Sequence, residues 1–213
     1  MRQLLHGVRI FQHRVFPTRR TQFEALAKGQ APATLFITCS DSRIVPELVT
    51  QTSPGELFVL RNAGNLVPPF GESEPGGEAA TIEFAIAVLK VRDVIVCGHS
   101  DCGAIKGLLD PELVAELPSV RGWLKHAEQN GGAISRGHKL GEAPLSAAIE
   151  SNVKLQLAHL RTYPQVAEAE ARGELNLYGW FYRLETGDVT ALHEETGEFV
   201  SILHILTRES SVA

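Results

Sequence analysis

Leu35-Phe36-Ile37-Thr38-Cys39-Ser40-Asp41-Ser42-Arg43 and its distant counterpart Val94-Ile95-Val96-Cys97-Gly98-His99-Ser100-Asp101-Cys102 share one plan: a short apolar run that ends in chemically active side chains. Continuous runs of Leu, Ile and Val of this length read as strands buried on both faces of a parallel sheet. In open parallel sheets, ligands gather beyond the carboxyl ends of the strands, which is where Cys39, His99 and Cys102 fall. Two thiols and one imidazole suit zinc, and three protein ligands leave a fourth position for water or substrate. A lone H-x-x-C is a weak signal. C-x-D-x-R followed sixty residues later by H-x-x-C behind a second strand is far more specific.

Working outward, residues 33–38, 57–60 and 93–97 are expected as buried strands, with Pro46 opening a short helix through Val49. Residues Val67 to Gly77, rich in Pro, Gly and Glu, read as a loop. Glu78 to Lys90 has no broad charged face and predicts a helix buried on most sides, and Gly103 to Leu109 predicts another that starts at the H-x-x-C cluster. Short helical pieces interrupted by Pro111, Pro118 and Gly131-Gly132 are expected over 110–141. The longest helix should run from Glu142 to Tyr163, with Leu145, Ile149, Val153, Leu157 and Leu160 on one stripe and Pro164 ending it. Three alternating segments follow, Leu175 to Leu184, Asp188 to His193 and Glu198 to Leu203, with turns at Thr186-Gly187 and Thr196-Gly197. They predict antiparallel strands extending the sheet edge. The fold class is therefore α/β: a central, mostly parallel sheet flanked by helices, with an antiparallel C-terminal extension. Neither a repeat nor a low-complexity tract divides the chain, so residues 1–213 are expected to form one domain.

The composition of the 213 residues, 44% hydrophobic and 21% charged, suffices for a sizeable core. A formal charge of −5 gives no general attraction to nucleic acid or anionic lipid, and neither is expected as a partner. Three cysteines without a C-x-x-C fit metal binding in a reducing compartment better than a disulfide framework or a redox motif. The first twenty-three residues carry Arg2, Arg9, Arg14, Arg19 and Arg20 and no acid, a composition that transit peptides share. Leu4, Val8, Phe11 and Val15 nevertheless recur at helical spacing, which favours an amphipathic helix, broken by Pro17 and resumed from Thr21 to Ala27. No apolar run reaches bilayer length, and a cytoplasmic location is expected.

The two clusters, together with Gly55-Glu56-Leu57-Phe58, Arg61-Asn62-Ala63-Gly64-Asn65 and Cys102-Gly103, make the sequence similar to the β-class carbonic anhydrases over nearly its whole length, in the plant-like and cyanate-operon-like branch. The resemblance implies one Zn2+ per chain on Cys39, His99 and Cys102, and reversible hydration of carbon dioxide to bicarbonate and a proton by zinc-bound hydroxide. It gives Asp41 and Arg43 catalytic roles: Arg43 holds Asp41 off the metal, and Asp41 accepts a hydrogen bond from the hydroxide. It places Phe58, Ala63 and Phe84 around the substrate, with Gln30 reaching bicarbonate across a subunit interface and the Gly103 N–H doing likewise. Phe84 stands where some relatives have Tyr, and Phe36 stands where the bicarbonate-locked branch has Trp, so that lock is expected to be absent. Residues 1–30 become a helical arm that packs on a partner subunit, with a homodimer as the minimal unit and tetramers or larger assemblies left open.

Bland readings stand beside these. Each aromatic could be plain core, Asp41 and Arg43 alone would read as a helix cap and a solvent pair, and the Asp101 carboxylate is expected to point to solvent or to a partner behind the ligands, outside the site itself. Cys97 reads as a small buried hydrophobe, and the other seven histidines lack a second ligand at metal spacing. The same zinc site could serve another heterocumulene, carbon disulfide or carbonyl sulfide, or be a non-catalytic zinc-binding module, although structural zinc sites are usually closed by four Cys or His. Two thiolates offset the metal's charge, so the pKa of its water should lie above that beside three neutral imidazoles, the ligand set of an unrelated class of carbonic anhydrases. Carbon dioxide hydration is therefore expected to rise toward alkaline pH in stopped-flow assays, and a flat profile from mildly acid to alkaline conditions would contradict it.

Overall fold

A computed structural model describes residues 1–71, 76–127 and 141–203. The Gly131-Gly132 break, His138 and His204 lie outside the described residues, as does part of the expected loop over 67–77. The arm comprises α1 (Arg2–Ile10), a wide turn over Phe11–Val15, α2 (Phe16–Thr18) and α3 (Arg20–Leu26). The helical path survives Pro17 and breaks two residues later, at Arg19. Pro17 lacks the N–H that an α-helix would need there, and it falls just after the wide turn, in which Phe16 bonds back to Phe11.

Three strands then carry the apolar runs: β1 (Thr34–Cys39), β2 (Leu57–Asn62) and β3 (Asp93–His99). Between them lie α4 (Pro46–Thr50) and α5 (Gly77–Glu83), the latter continuing into a wide turn over Phe84–Val88. After β3 come α6 (Gly103–Leu109), α7 (Pro118–Leu124), α8 (Glu142–Leu160) and α9 (Pro164–Ala171), then β4 (Asn176–Tyr182), β5 (Val189–His193) and β6 (Glu198–Ser201). The six-stranded sheet has the order β2-β1-β3-β4-β5-β6. It matches the expected α/β class, with one correction at β4, which pairs parallel with β3, Asp93 opposite Asn176 and His99 opposite Tyr182. Only β5 and β6 are antiparallel. Alternation in Leu175 to Leu184 reports a strand with unlike faces and is silent about direction; direction follows from the helical crossover, which returns the chain to the start of β3. A second correction concerns Pro164, which opens α9 at its first turn, where a missing N–H costs nothing.

Strand side chains alternate between two clusters. Leu35, Ile37, Leu60, Val94, Val96 and Leu177 pack against Ile82 of α5, Val153 and Leu157 of α8 and Val166 of α9. Phe36, Ile95 and Cys97 point the other way, buried beside the half-buried Leu57, Val59, Trp180 and Tyr182. Burial pushes the Cys97 thiol up to about 12, consistent with an inert packing residue.

Helix α8 lies directly on the sheet because two strand positions have no side chain. A Cβ on Gly98 would fall 2.8 Å from Ile149 Cγ2 and 2.9 Å from Val153 Cγ2, and one on Gly179 would fall 2.9 Å from Val153 Cγ1. Both are closer than packed carbons tolerate, so a methyl group must push the helix outward. Gly179→Ala is expected to cost about 1–3 kcal/mol, seen as a lower urea midpoint at constant slope; an unchanged midpoint would show that α8 is not seated on these glycines.

Candidate metal centre and its surroundings

Parallel pairing of β1 with β3, Thr38 opposite Cys97, places Cys39 and His99 together at the carboxyl ends of two adjacent strands. Asp101 then adopts a left-handed backbone conformation at φ 59°, tolerated by Asp better than by most residues, and the chain reverses so that Cys102 caps α6. The result is that Cys39 Sγ, Cys102 Sγ and a ring nitrogen of His99 lie within 4.8 Å of one another, all buried. Among the described residues, this is the group of His, Cys and carboxylate side chains close enough to share an ion.

The donor set fits zinc on three counts. His99 Nδ1 lies 2.8 Å from the carbonyl of Ser100, and because a carbonyl can only accept, Nδ1 carries the proton and Nε2 presents its lone pair. Nε2 is fully buried without a hydrogen-bond partner. An orphan of that kind costs about 1–3 kcal/mol unless something else meets it. Third, the neighbouring Cys102 side chain pulls the Cys39 thiol down, against the effect of burial, while the same closeness and burial push Cys102 upward. Two thiols this close hinder each other's ionisation, and a soft divalent cation between them would let both ionise. The Gly64 N–H also approaches Cys39 Sγ, at 3.4 Å.

Asp41 and Arg43 form the two-point pair expected of them. Asp41 Oδ1 accepts from Arg43 Nε at 2.9 Å and from its backbone N–H at 3.0 Å, while Oδ2 accepts from Nη2 at 2.7 Å. The guanidinium holds the Asp41 carboxyl well below the usual carboxylate range, so it is ionised at neutral pH. Oδ2 also lies 4.0 Å from His99 Nε2, at the rim of the ligand cluster. Arg61 braces this loop from β2, donating to the carbonyls of Cys39 at 3.1 Å and Asp41 at 2.7 Å.

Of the two expectations for the Asp101 carboxylate, solvent or a partner behind the ligands, the structure shows the second. Its Oδ2 accepts from Arg43 Nη1 at 3.0 Å, its carbonyl from Nη2 at 3.3 Å, and its other oxygen meets Lys106 Nζ. The sequence does not name the partner, because it is the left-handed turn that aims the side chain across at the β1 loop.

A second group went unseen: the loop after β2 is clamped by polar side chains of α8. Asn152 Nδ2 donates to the Gly64 carbonyl at 3.1 Å, Gln156 Oε1 accepts from the Val67 N–H at 2.8 Å, and His159 Nδ1 lies 2.7 Å from the Val67 carbonyl. Asn62 closes the loop on itself through the N–H and carbonyl of Leu66, both at 2.8 Å. Asn152, Gln156 and His159 recur at four and three residues, a buried polar stripe beside the leucine stripe that dominates the reading of this helix.

The remaining expected site residues are placed less tightly. Phe58 and Phe84 pair with ring centroids 6.1 Å apart, Phe58 half-buried and Phe84 41% exposed. Ala63 is half-buried, and its carbonyl accepts from Trp123 Nε1 at 2.8 Å. Gly103 is exposed at the first turn of α6, and Gln30 is exposed between α3 and β1, with none of the cluster's hydrogen bonds reaching it.

Comparison with known proteins agrees with this arrangement. The family model described as carbonic anhydrase matches residues 34–189. A carbonic anhydrase of Pseudomonas aeruginosa is 50% identical over 203 residues, covering 95% of this chain and 92% of the relative. Carbonic anhydrase 1 of Escherichia coli O157:H7 is 43% identical, covering 95% of this chain and 92% of its own. Among solved structures, the β-carbonic anhydrase CcaA superposes with a TM-score of 0.89 at 44% identity, covering 94% of this chain and 91% of that one. The Coccomyxa β-carbonic anhydrase, solved with acetazolamide, gives 0.75 at 29% identity, with 99% and 98% covered. A family match across most of the chain, and a relative half identical along nearly all of it, establish that the chain belongs to the β-class carbonic anhydrases, zinc enzymes that hydrate carbon dioxide reversibly.

Proposed function

We propose that Cys39, His99 and Cys102 hold the zinc on which this chain interconverts carbon dioxide and bicarbonate, and that Asp41 and Arg43 are its catalytic pair. The observation that carries the assignment is the buried, unpartnered Nε2 of His99 converging with two thiols. Zinc, when bound, would supply a concentrated positive charge that lowers the pKa of water and so makes it a better nucleophile. The chain's own residues direct what that charge makes available. Asp41 Oδ2, ionised and at the rim of the cluster, is an acceptor for the proton still carried by the attacking oxygen, and by fixing that proton it fixes where the lone pair points. Arg43 occupies both Asp41 oxygens and so keeps the carboxylate outside the ligand set.

Carbon dioxide is small and apolar, so the substrate side needs a dry wall more than polar handles. Phe58, Ala63 and Phe84 are the residues proposed to supply it. Gln30 and the Gly103 N–H are proposed to hold the bicarbonate that forms. With Phe at 84, the wall on that side lacks a hydroxyl.

The arm supports the reading of a homodimer as the minimal unit. Leu4, Leu5 and Val8 are 69%, 61% and 54% exposed, an apolar stripe that a second copy would cover. β-Carbonic anhydrases of Sordaria macrospora are described as tetrameric, and they superpose with a TM-score of 0.62 at 27% identity. The chain is read as one domain in which residues 1–30 form this arm. A cytoplasmic location agrees with three free cysteines, and no described helix is long and apolar enough to cross a membrane.

Metal analysis should find about one zinc per chain. Asp41→Asn should keep that zinc yet lose about 100-fold or more in kcat for carbon dioxide hydration, the scale of a positioned proton acceptor; a variant as fast as wild type would refute the role. Changing Leu5 and Val8 together to Glu should lower the molecular mass in solution measured by light scattering, whereas an unchanged mass would remove the arm from the interface.

A further inference from the structure

We propose that Asp101 is a positioning residue, a second clamp on Arg43 which, with Lys106, biases Asp41 away from the metal ligands. The inference rests on the assignment of the zinc site and of Asp41 made above. Its starting point is the valence of one guanidinium. Arg43 directs Nε and Nη2 at the two oxygens of Asp41, and Nη1 and Nη2 at the carboxylate and carbonyl of Asp101. Two carboxylates therefore grip one planar group from two edges, and the plane cannot turn without breaking bonds on both sides. Lys106, from the middle of α6, holds the other oxygen of Asp101, which fixes the carboxylate so that Oδ2 faces Arg43.

The topology gives this grip its consequence. Asp41 and Arg43 sit on the loop after β1, two and four residues beyond Cys39; Asp101 sits on the loop after β3, between His99 and Cys102. The Arg43–Asp101 pair is thus a cross-brace between the two segments that bring the ligands. Asp41 Oδ2 lies 4.0 Å from His99 Nε2, so the carboxylate is near enough to compete for a metal held by the three ligands were it free to turn. If Arg43 were free to swing, Asp41 could follow it or leave it. With Arg43 anchored on a separate strand end, the Asp41 carboxylate has a fixed partner outside the ligand set.

The competing explanation is that Asp stands at 101 only because the left-handed backbone at φ 59° accepts Asp. Arg43 and Asp101 are also 46% and 45% exposed, and exposed pairs often contribute little. Asp101→Asn separates the two explanations, because Asn suits that backbone equally and keeps the shape while removing the charge.

The test uses the full chain loaded with cobalt in place of zinc, whose visible spectrum reports the ligand set, and azide as the probe of the fourth position. Asp101→Asn should retain metal, change the cobalt spectrum, and lose about fivefold in azide affinity as Asp41 competes for the vertex, with a similar loss in kcat/KM. Lys106→Met should move both in the same direction by less, and it carries the test if Asp101→Asn does not fold. In the Asp41→Asn background, where the competing carboxylate is gone, Asp101→Asn should leave azide affinity unchanged. A wild-type spectrum and azide affinity in Asp101→Asn would overturn the proposal, as would a loss of affinity that persists in the double variant. Absence of metal from the wild type, or full activity in Asp41→Asn, would instead overturn the site assignment on which the proposal rests.

Discussion

Thr38 faces Cys97 across the parallel ladder of β1 and β3, and its hydroxyl donates to the Cys97 carbonyl at 3.0 Å, buried on all sides. Everything catalytic depends on that register. It brings Cys39 and His99 out of the sheet together, so a buried imidazole nitrogen and two buried sulfurs meet around one point. A slip of one residue would turn every side chain of β1 to the opposite face and separate the donors. The register is therefore as much a part of the metal centre as the ligands are.

Around that point the protein is built to resist motion. The loop after β2 is held by Asn152, Gln156 and His159 of α8, and α8 is seated on Gly98 and Gly179, next to the very strand end that carries His99. On the open side, Arg43 and Arg61 tie the β1 loop to Asp101 and to backbone carbonyls. Ligand geometry is thus fixed by packing on the inside and by charge on the outside. The division follows from dielectric surroundings: buried polar groups need complete hydrogen bonding, whereas side-chain charges that bind no metal stay ionised at least cost near water.

Sequence patterning failed in instructive places. Pro164 reads as the end of α8, yet it opens α9, because proline is as well suited to the first turn of a helix as it is unsuited to the interior. The alternation in Leu175 to Leu184 suggested an antiparallel strand, yet β4 runs parallel to β3. Alternation measures how a strand is buried, and direction is set by the path of the chain before it. Asp101 finds its partner 58 residues away, and no local rule names which side chain that will be.

What the amino-acid order determined by itself was chemistry and local form: the thiols and imidazole at the ends of apolar runs, the α/β alternation, the helix over Gly103 to Leu109, and the pairing of Asp41 with Arg43 two residues on. These are short-range properties, legible because strand burial and side-chain type are written in neighbouring residues. Only the tertiary structure decided the sheet order, the buried polar stripe of α8 and the cross-brace from Asp101. Each joins groups distant in the chain, and their meeting depends on register, crossover path and one left-handed residue, none of which is encoded in local composition.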